Sequence, residues 1–168
     1  MNDTEQKNME FMKTYDDFSD NIFRHIYFRV YNRERAMELM QDTFMKTWNY
    51  ISKGGKIINL KAFLYKTANN LVIDEFRKKK EESLEALEEQ GINPKIENKE
   101  EIETKIESDK VKRVLSQLED KYGRVITMKY IDELSIKEIA EVTGETENNV
   151  SVRLNRGLKQ LRQILNYG

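Results

Sequence analysis

The stretch that decides the fold runs Leu134-Ser135-Ile136-Lys137-Glu138-Ile139-Ala140-Glu141-Val142-Thr143-Gly144. After Glu145-Thr146-Glu147-Asn148-Asn149 it resumes as Val150-Ser151-Val152-Arg153-Leu154-Asn155-Arg156-Gly157-Leu158-Lys159-Gln160-Leu161-Arg162. Ser135 followed three residues later by Glu138 fits a capping box, in which the serine hydroxyl and the glutamate carboxylate each accept from the other residue's backbone N–H. A short helix is expected from there through Val142. Thr143-Gly144-Glu145 turns the chain, with Gly144 free to take the positive φ that such a turn often needs. Thr146 then caps a final helix whose inner face is Val150, Leu154, Leu158, Leu161 and Leu165. Ala140, Gly144 four residues on and Val150 six beyond that supply a small residue at the crossing, a turn and a buried aliphatic anchor. That spacing is what a helix-turn-helix requires.

In such a motif the second helix enters the major groove with its N-terminal half leading. Its outward residues here are Asn149, Ser151, Arg153, Asn155, Arg156 and Lys159. Arginine grips guanine with two hydrogen bonds and asparagine does the same with adenine, so this face is equipped to read bases. For Lys159 a phosphate contact and an ordinary solvated position both fit.

Upstream, Val111, Val114, Leu115 and Leu118 mark one short helix, and Tyr122, Val125, Ile126 and Tyr130 another. Residues 109–168 thus form one small helical bundle. Residues 81–108 read differently: glutamates dominate, Gly91 and Pro94 interrupt any helix, and the isoleucines make no stripe. This is an acidic linker, with Ile102 and Ile106 placed to extend the following helix backward. Its 28 residues extend to at most roughly 90–100 Å, and like charge favours extension.

Residues 1–80 contain three apolar stripes of helical period. The first runs from Phe18 through Ile22, Ile26, Tyr27, Val30 and Tyr31. The second spans about Arg33 to Ile51, with Ala36, Leu39, Met40, Phe44, Trp48 and Ile51. The third spans about Asn59 to Arg77, with Leu60, Phe63, Leu64, Thr67, Ala68, Leu71 and Phe76. Three such helices bury one another. The expected fold is therefore all-α: two small helical bundles, 1–80 and 109–168, joined by the acidic linker.

Charge follows the same division. Residues 1–80 hold 15 Lys/Arg against 11 Asp/Glu, residues 81–108 hold 3 against 10, and residues 109–168 hold 11 against 9, which together give the net charge of −1. Mildly basic ends around an acidic joint point to polyanion contacts at the ends. With 38% hydrophobic and 35% charged residues the cores must be thin, as in short helical bundles. The absence of cysteine excludes disulfides and thiolate metal sites. His25 is the one histidine, and a partly buried helix position with no evident chemical partner is expected for it. No phosphate loop, metal cluster or nucleophile–base pair stands out, so neither catalysis nor a cofactor is expected. The first residues lack the parts of a signal peptide, no apolar run approaches a bilayer's thickness, and a cytoplasmic location follows as the expectation.

The segments 134–144 and 150–162 resemble the fourth conserved region of sigma-70 family RNA polymerase sigma factors, which recognises the upstream promoter element. The first bundle agrees independently. Glu38-Leu39-Met40-Gln41-Asp42-Thr43-Phe44 with Trp48 resembles the second-region helix that docks on the polymerase clamp. Residues 62–77, Ala62-Phe63-Leu64-Tyr65-Lys66-Thr67-Ala68-Asn69-Asn70-Leu71-Val72-Ile73-Asp74-Glu75-Phe76-Arg77, resemble the adjoining helix that engages and melts the downstream element. Two blocks in order across a linker, without further modules, are similar to the extracytoplasmic-function group.

The resemblance implies an alternative sigma factor, monomeric when free, with core RNA polymerase, promoter DNA and, for some members, an anti-sigma factor as partners. It places Glu38, Leu39, Gln41, Asp42 and Phe44 on polymerase. It places Lys61, Phe63, Lys66, Asn69, Asn70, Asp74, Arg77 and Lys78 at the downstream element, with Lys53, Lys56, Lys79 and Lys80 adding charge. Phe63 and Tyr65 are candidates for stacking, although Phe63 also lies in the packing stripe. The loop around Gly54-Gly55 is a candidate pocket for a flipped base. The chain departs from the family in carrying Phe63 for a common tryptophan, Asn148-Asn149 for a glycine-threonine pair, and Gly157 for a common alanine. The last is expected to loosen its helix by up to about 1 kcal/mol. An activator or repressor using the same helix-turn-helix is the second reading; it would have no need of the clamp-like face.

Overall fold

In a computed structural model the described residues, 2–90 and 106–167, are helical with no strand among them. Helix α1 covers Asp3–Val30, α2 Arg33–Ser52 and α3 Leu60–Gln90. Helix α1 starts fifteen residues before Phe18, because Asn2 and Glu5 form a capping box of their own: the Asn2 side chain accepts from the Glu5 N–H at 2.8 Å. Asn32 caps α2 by accepting from the Arg35 N–H, and Asn59 begins α3 by accepting from the Ala62 N–H. The three helices bury Ile22, Ile26 and Val30 against Leu39, Met40 and Phe44 and against Leu64, Ala68 and Val72. Thr43 and Thr47 share that interior by donating their hydroxyls to carbonyls one turn back, both at 2.8 Å.

Helix α3 continues well past Arg77. The first ten residues of the expected linker, 81–90, extend it, while Gly91, Pro94 and Ile102 lie outside the described residues.

The second bundle comprises α4 (Ile106–Gln117), α5 (Asp120–Ile126), α6 (Ile136–Thr143) and α7 (Glu147–Tyr167). Ile106 does carry α4 back beyond Val111, which is itself exposed. Helix α5 runs directly into a π-helical turn, Thr127–Ile131. The wider turn changes the register, so Met128 is fully buried and Tyr130, expected on the inner face, is exposed. Val125, Ile126, Met128, Leu134, Ile139, Val142, Val150 and Leu154 make the core. Leu158 and Leu161 pack against its edge, whereas Leu165 stands out in solvent where α7 outruns the bundle.

Candidate nucleic-acid and polymerase interfaces

The helix-turn-helix forms as the spacing requires. Ser135 Oγ accepts from the Glu138 N–H at 3.0 Å, and the Glu138 carboxylate accepts from the Ser135 N–H at 3.1 Å. Gly144 takes φ 74° and donates its N–H to the Ala140 carbonyl, closing α6. Thr146 Oγ1 accepts from the Asn149 N–H at 3.1 Å and opens α7. With Val150 and Leu154 buried, α7 leaves Asn149, Asn155, Arg156 and Lys159 exposed along its outer side. Two of the expected residues are less available. Arg153 is held by Glu145 at 2.7 Å, and Ser151, next to Val150, is half-buried at the helix shoulder.

A groove of about 180 Å³ gathers Asn149, Val152, Arg153 and Arg156 from α7 with Lys121 and Tyr122 from α5. The sequence reading missed Lys121, Tyr122 and Val152. The first two lie outside the motif, and an aliphatic residue such as Val152 carries no signal of contact until the helix is placed. Gly157 sits where α7 crosses α5. A Cβ there would lie 3.3 Å from Ile126 Cγ1 and from Tyr122 Cβ, so the glycine permits close packing and does more than loosen the helix.

On α3 the expected residues divide. Lys66, Asn70, Arg77 and Lys78 are exposed, and the spacing of Lys66, Asn70, Ile73 and Arg77 sets them along one stripe. Asp74 is half-buried and pairs with Arg77 at 3.5 Å. Phe63 begins the stripe, half-buried with its ring 5.1 Å from that of Tyr50 beside the Gly54-Gly55 loop. Asn69 does not join them. It is buried, and its Oδ1 faces the Arg29 guanidinium at 3.4 Å, because its position on α3 points toward α1. Tyr65 is likewise interior and has no free face for a base. Burial pushes its hydroxyl well above the usual tyrosine range, and the charge of Asp132 adds to the shift. Lys61 is half-exposed but engaged, 3.0 Å from Glu138.

On α2, Glu38, Gln41 and Asp42 are exposed, with Glu38 paired to Arg35 at 2.7 Å. Leu39 and Phe44 are 2% and 3% exposed and belong to the core. Leu39 is therefore part of the packing among the helices, with almost no surface open to a partner. Phe44 contributes only the floor of an apolar groove of about 350 Å³, shared with Phe11, Tyr15, Gln41, Met45 and Trp48. The N-terminal part of α1, which the sequence reading left unassigned, builds one wall of it.

His25 turns out to have a partner after all. It is fully buried, with Nδ1 2.6 Å from Oδ2 of Asp132, which ends the π-helical turn 107 residues away. No periodicity links two such positions. Glu138, one residue of this same face, has its carboxyl held below the ordinary range, first by the hydrogen bond from the Ser135 backbone and further by Lys61.

Known proteins with the same pattern match on both bundles. The model for sigma-70 region 2 covers residues 14–82 and that for sigma-70 region 4 covers residues 108–161. The sigma factor SigW of Bacillus subtilis, an extracytoplasmic-function RNA polymerase sigma factor, is 32% identical over 167 residues, covering 89% of this chain and 86% of its own.

The chain belongs to the extracytoplasmic-function sigma factors of the sigma-70 family.

SigV of the same organism is 26% identical over 146 residues, 87% of this chain and 85% of its own. Among solved structures, the sigma factor RpoE of Bartonella quintana, in complex with the anti-sigma factor NepR, has a TM-score of 0.73 at 20% identity over 94% of this chain and 97% of that one. CnrH, in complex with the cytosolic domain of CnrY, has a TM-score of 0.74 at 18% identity over 95% and 90%. These two bear out the all-α fold of paired helical bundles. The protein is an alternative sigma factor that directs promoter-specific transcription initiation. No helix among the described residues is long and apolar enough to cross a membrane, and no cluster of side chains among them could hold a metal ion.

Proposed function

We propose that this sigma factor divides its work between its two bundles: residues 1–80 bind polymerase and melt the downstream element, and residues 109–168 read the upstream one. The observation that carries this is the pair of exposed polar stripes, each on the outer side of a helix whose other side is a core. On α7, Asn149, Asn155, Arg156 and Lys159 enter the major groove, with Arg153 and Lys121 beside them as candidates for phosphate. On α3, Lys66, Asn70, Arg77 and Lys78 follow the separated strand, and the Tyr50–Phe63 pair beside the glycine loop offers an aromatic surface to an unpaired base. Gln41, which lines the apolar groove between α1 and α2, and the exposed carboxylates Glu38 and Asp42 of the same helix face basic groups on the polymerase clamp. The chain works without catalysis of its own, in the cytoplasm where polymerase is. An anti-sigma factor is a further partner in this reading, since the structural neighbour RpoE is held by the anti-sigma factor NepR.

In vitro transcription with core polymerase tests the assignment. Adding the chain should produce initiation at selected promoters from a one-to-one complex. Converting both Glu38 and Asp42 to lysine should weaken core binding with unchanged circular dichroism. Binding of an isolated dimer to a palindromic site, with no affinity for core, would overturn the assignment in favour of a free-standing regulator.

A further inference from the structure

Helix α7 carries an apolar side chain that its packing does not use. Val152 stands two residues from Val150 and two from Leu154, which are 0% and 6% exposed. Two residues turn an α-helix through about 200°, so Val152 lies opposite both anchors, on the side that faces away from the core. It is 39% exposed. Leu165, the other exposed large apolar residue of α7 among the described residues, is different: it prolongs the inner stripe past the end of the bundle. Helix propensity gives no reason for a valine either. A β-branched side chain loses rotamer freedom on a helix, and glutamine or lysine would suit an exposed position better.

The surroundings of Val152 give it a use. It lines the groove between α5 and α7, with Asn149 three residues before it and Arg156 four residues after, so the three form one stripe. Arg153, which lines the same groove, is committed to Glu145. Asn149 and Arg156 are left to make hydrogen bonds, and Val152 between them can make none. From Asn149 to Arg156 the helix rises about 10 Å, the height of about three base-pair steps. An aliphatic side chain neither donates nor accepts, so it tells base pairs apart by apolar contact. In the major groove the apolar group on offer is the C5-methyl of thymine. Cytosine at the same place would turn its amino group toward the valine and find no acceptor.

We propose that Val152 is a specificity-determining residue for the upstream element. It packs its methyl groups on the C5-methyl of a thymine that lies between the base pairs met by Asn149 and Arg156. The proposal rests on the assignment of α7 to that element.

The test uses holoenzyme assembled from core polymerase and the whole chain. Selection from a promoter library defines the preferred upstream element. Each thymine in it is then replaced singly by deoxyuridine, which pairs as thymine does and lacks only the methyl. At one thymine the replacement should weaken promoter binding by the wild-type holoenzyme about three- to fivefold, the effect of one buried methyl group. Val152→Ser removes both valine methyls and should bind the two promoters within about 1.5-fold of each other. Val152→Thr keeps one methyl in nearly the same shape and should retain part of the discrimination. The ratio is taken within each variant, so a general change in affinity cancels. Should Val152→Ser lose helical signal in circular dichroism, Val152→Gln, a better helix former, decides by the same ratio. A preferred element without thymine, a scan with no sensitive position, or a sensitivity that the serine variant retains overturns the proposal. If selection yields no preferred upstream element, the assignment of α7 falls and the proposal with it. If Asn149→Ala and Arg156→Ala each relax a position but no thymine responds to loss of its methyl, the assignment stands and only the role of Val152 fails.

Discussion

Helices α3 and α7 are both long, both carry a polar stripe, and both are assigned to promoter DNA, yet their sequences could not be read with equal success. On α7 four of the six expected residues are exposed and unengaged, Asn149, Asn155, Arg156 and Lys159. On α3, Asn69 is buried, Lys61 is engaged by Glu138, and Phe63 leans on Tyr50. The difference lies in what surrounds each helix. Helix α7 rests on its bundle along one side only, so one apolar stripe accounts for its burial and everything else faces water. Helix α3 packs on α1 and α2 and is then crowded near its start by α6 from the other bundle, so a polar residue on it can be enclosed by a neighbour its own periodicity does not reveal.

The largest test of that contrast is in the core. Leu64 is fully buried on α3, and Leu64→Ala should cost about 2–5 kcal/mol in urea unfolding, with transcription lost only to the extent that folded protein is lost. A cost below about 1 kcal/mol would mean that α3 is not enclosed as described.

Next comes the pair of neighbouring asparagines. Asn69→Ala removes the carbonyl that faces buried Arg29 and should destabilise the chain by about 1–3 kcal/mol. Asn70→Ala, on the open stripe, should leave stability within about 0.5 kcal/mol and instead impair promoter opening, read by permanganate footprinting. The reverse pattern would exchange their roles.

On α7 the corresponding pair is Arg156 and Arg153. Arg156→Ala should lose about 1–3 kcal/mol of promoter binding and relax preference at one or two positions if it meets a base. A phosphate contact would weaken all sequences alike and reduce the salt slope by about one. Arg153→Ala should do less to binding, because its guanidinium is already committed to Glu145. Promoter-library transcription with the two variants ranks them, and equal losses would show that the Glu145 pair opens on DNA.

The smallest effect is expected at Gly157. Alanine gains about 1 kcal/mol in helix propensity, but its Cβ meets Ile126 and the Cβ of Tyr122, atoms close to the α5 backbone that cannot simply swing away. Gly157→Ala should therefore be slightly destabilising, by less than about 1 kcal/mol in thermal unfolding. A clear gain in stability would show that α5 and α7 have slack between them.

The sequence by itself determined every feature that depends on residues a few positions apart. The capping box of Ser135 and Glu138, the positive φ of Gly144, the cap at Thr146 and the buried Val150–Leu154 stripe all arise within one or two helical turns, where spacing translates directly into geometry. The three helices of the first bundle and the family were legible for the same reason. Tertiary structure decided what depends on distant partners or on a change of period. The π-helical turn put Tyr130 outside and Met128 inside, against the spacing. The Arg29 guanidinium drew in Asn69, and Asp132 found His25 across 107 residues of chain. A polar residue's type gives its hydrogen-bonding capacity but not the direction from which a partner will come, and only the packed helices supply that direction.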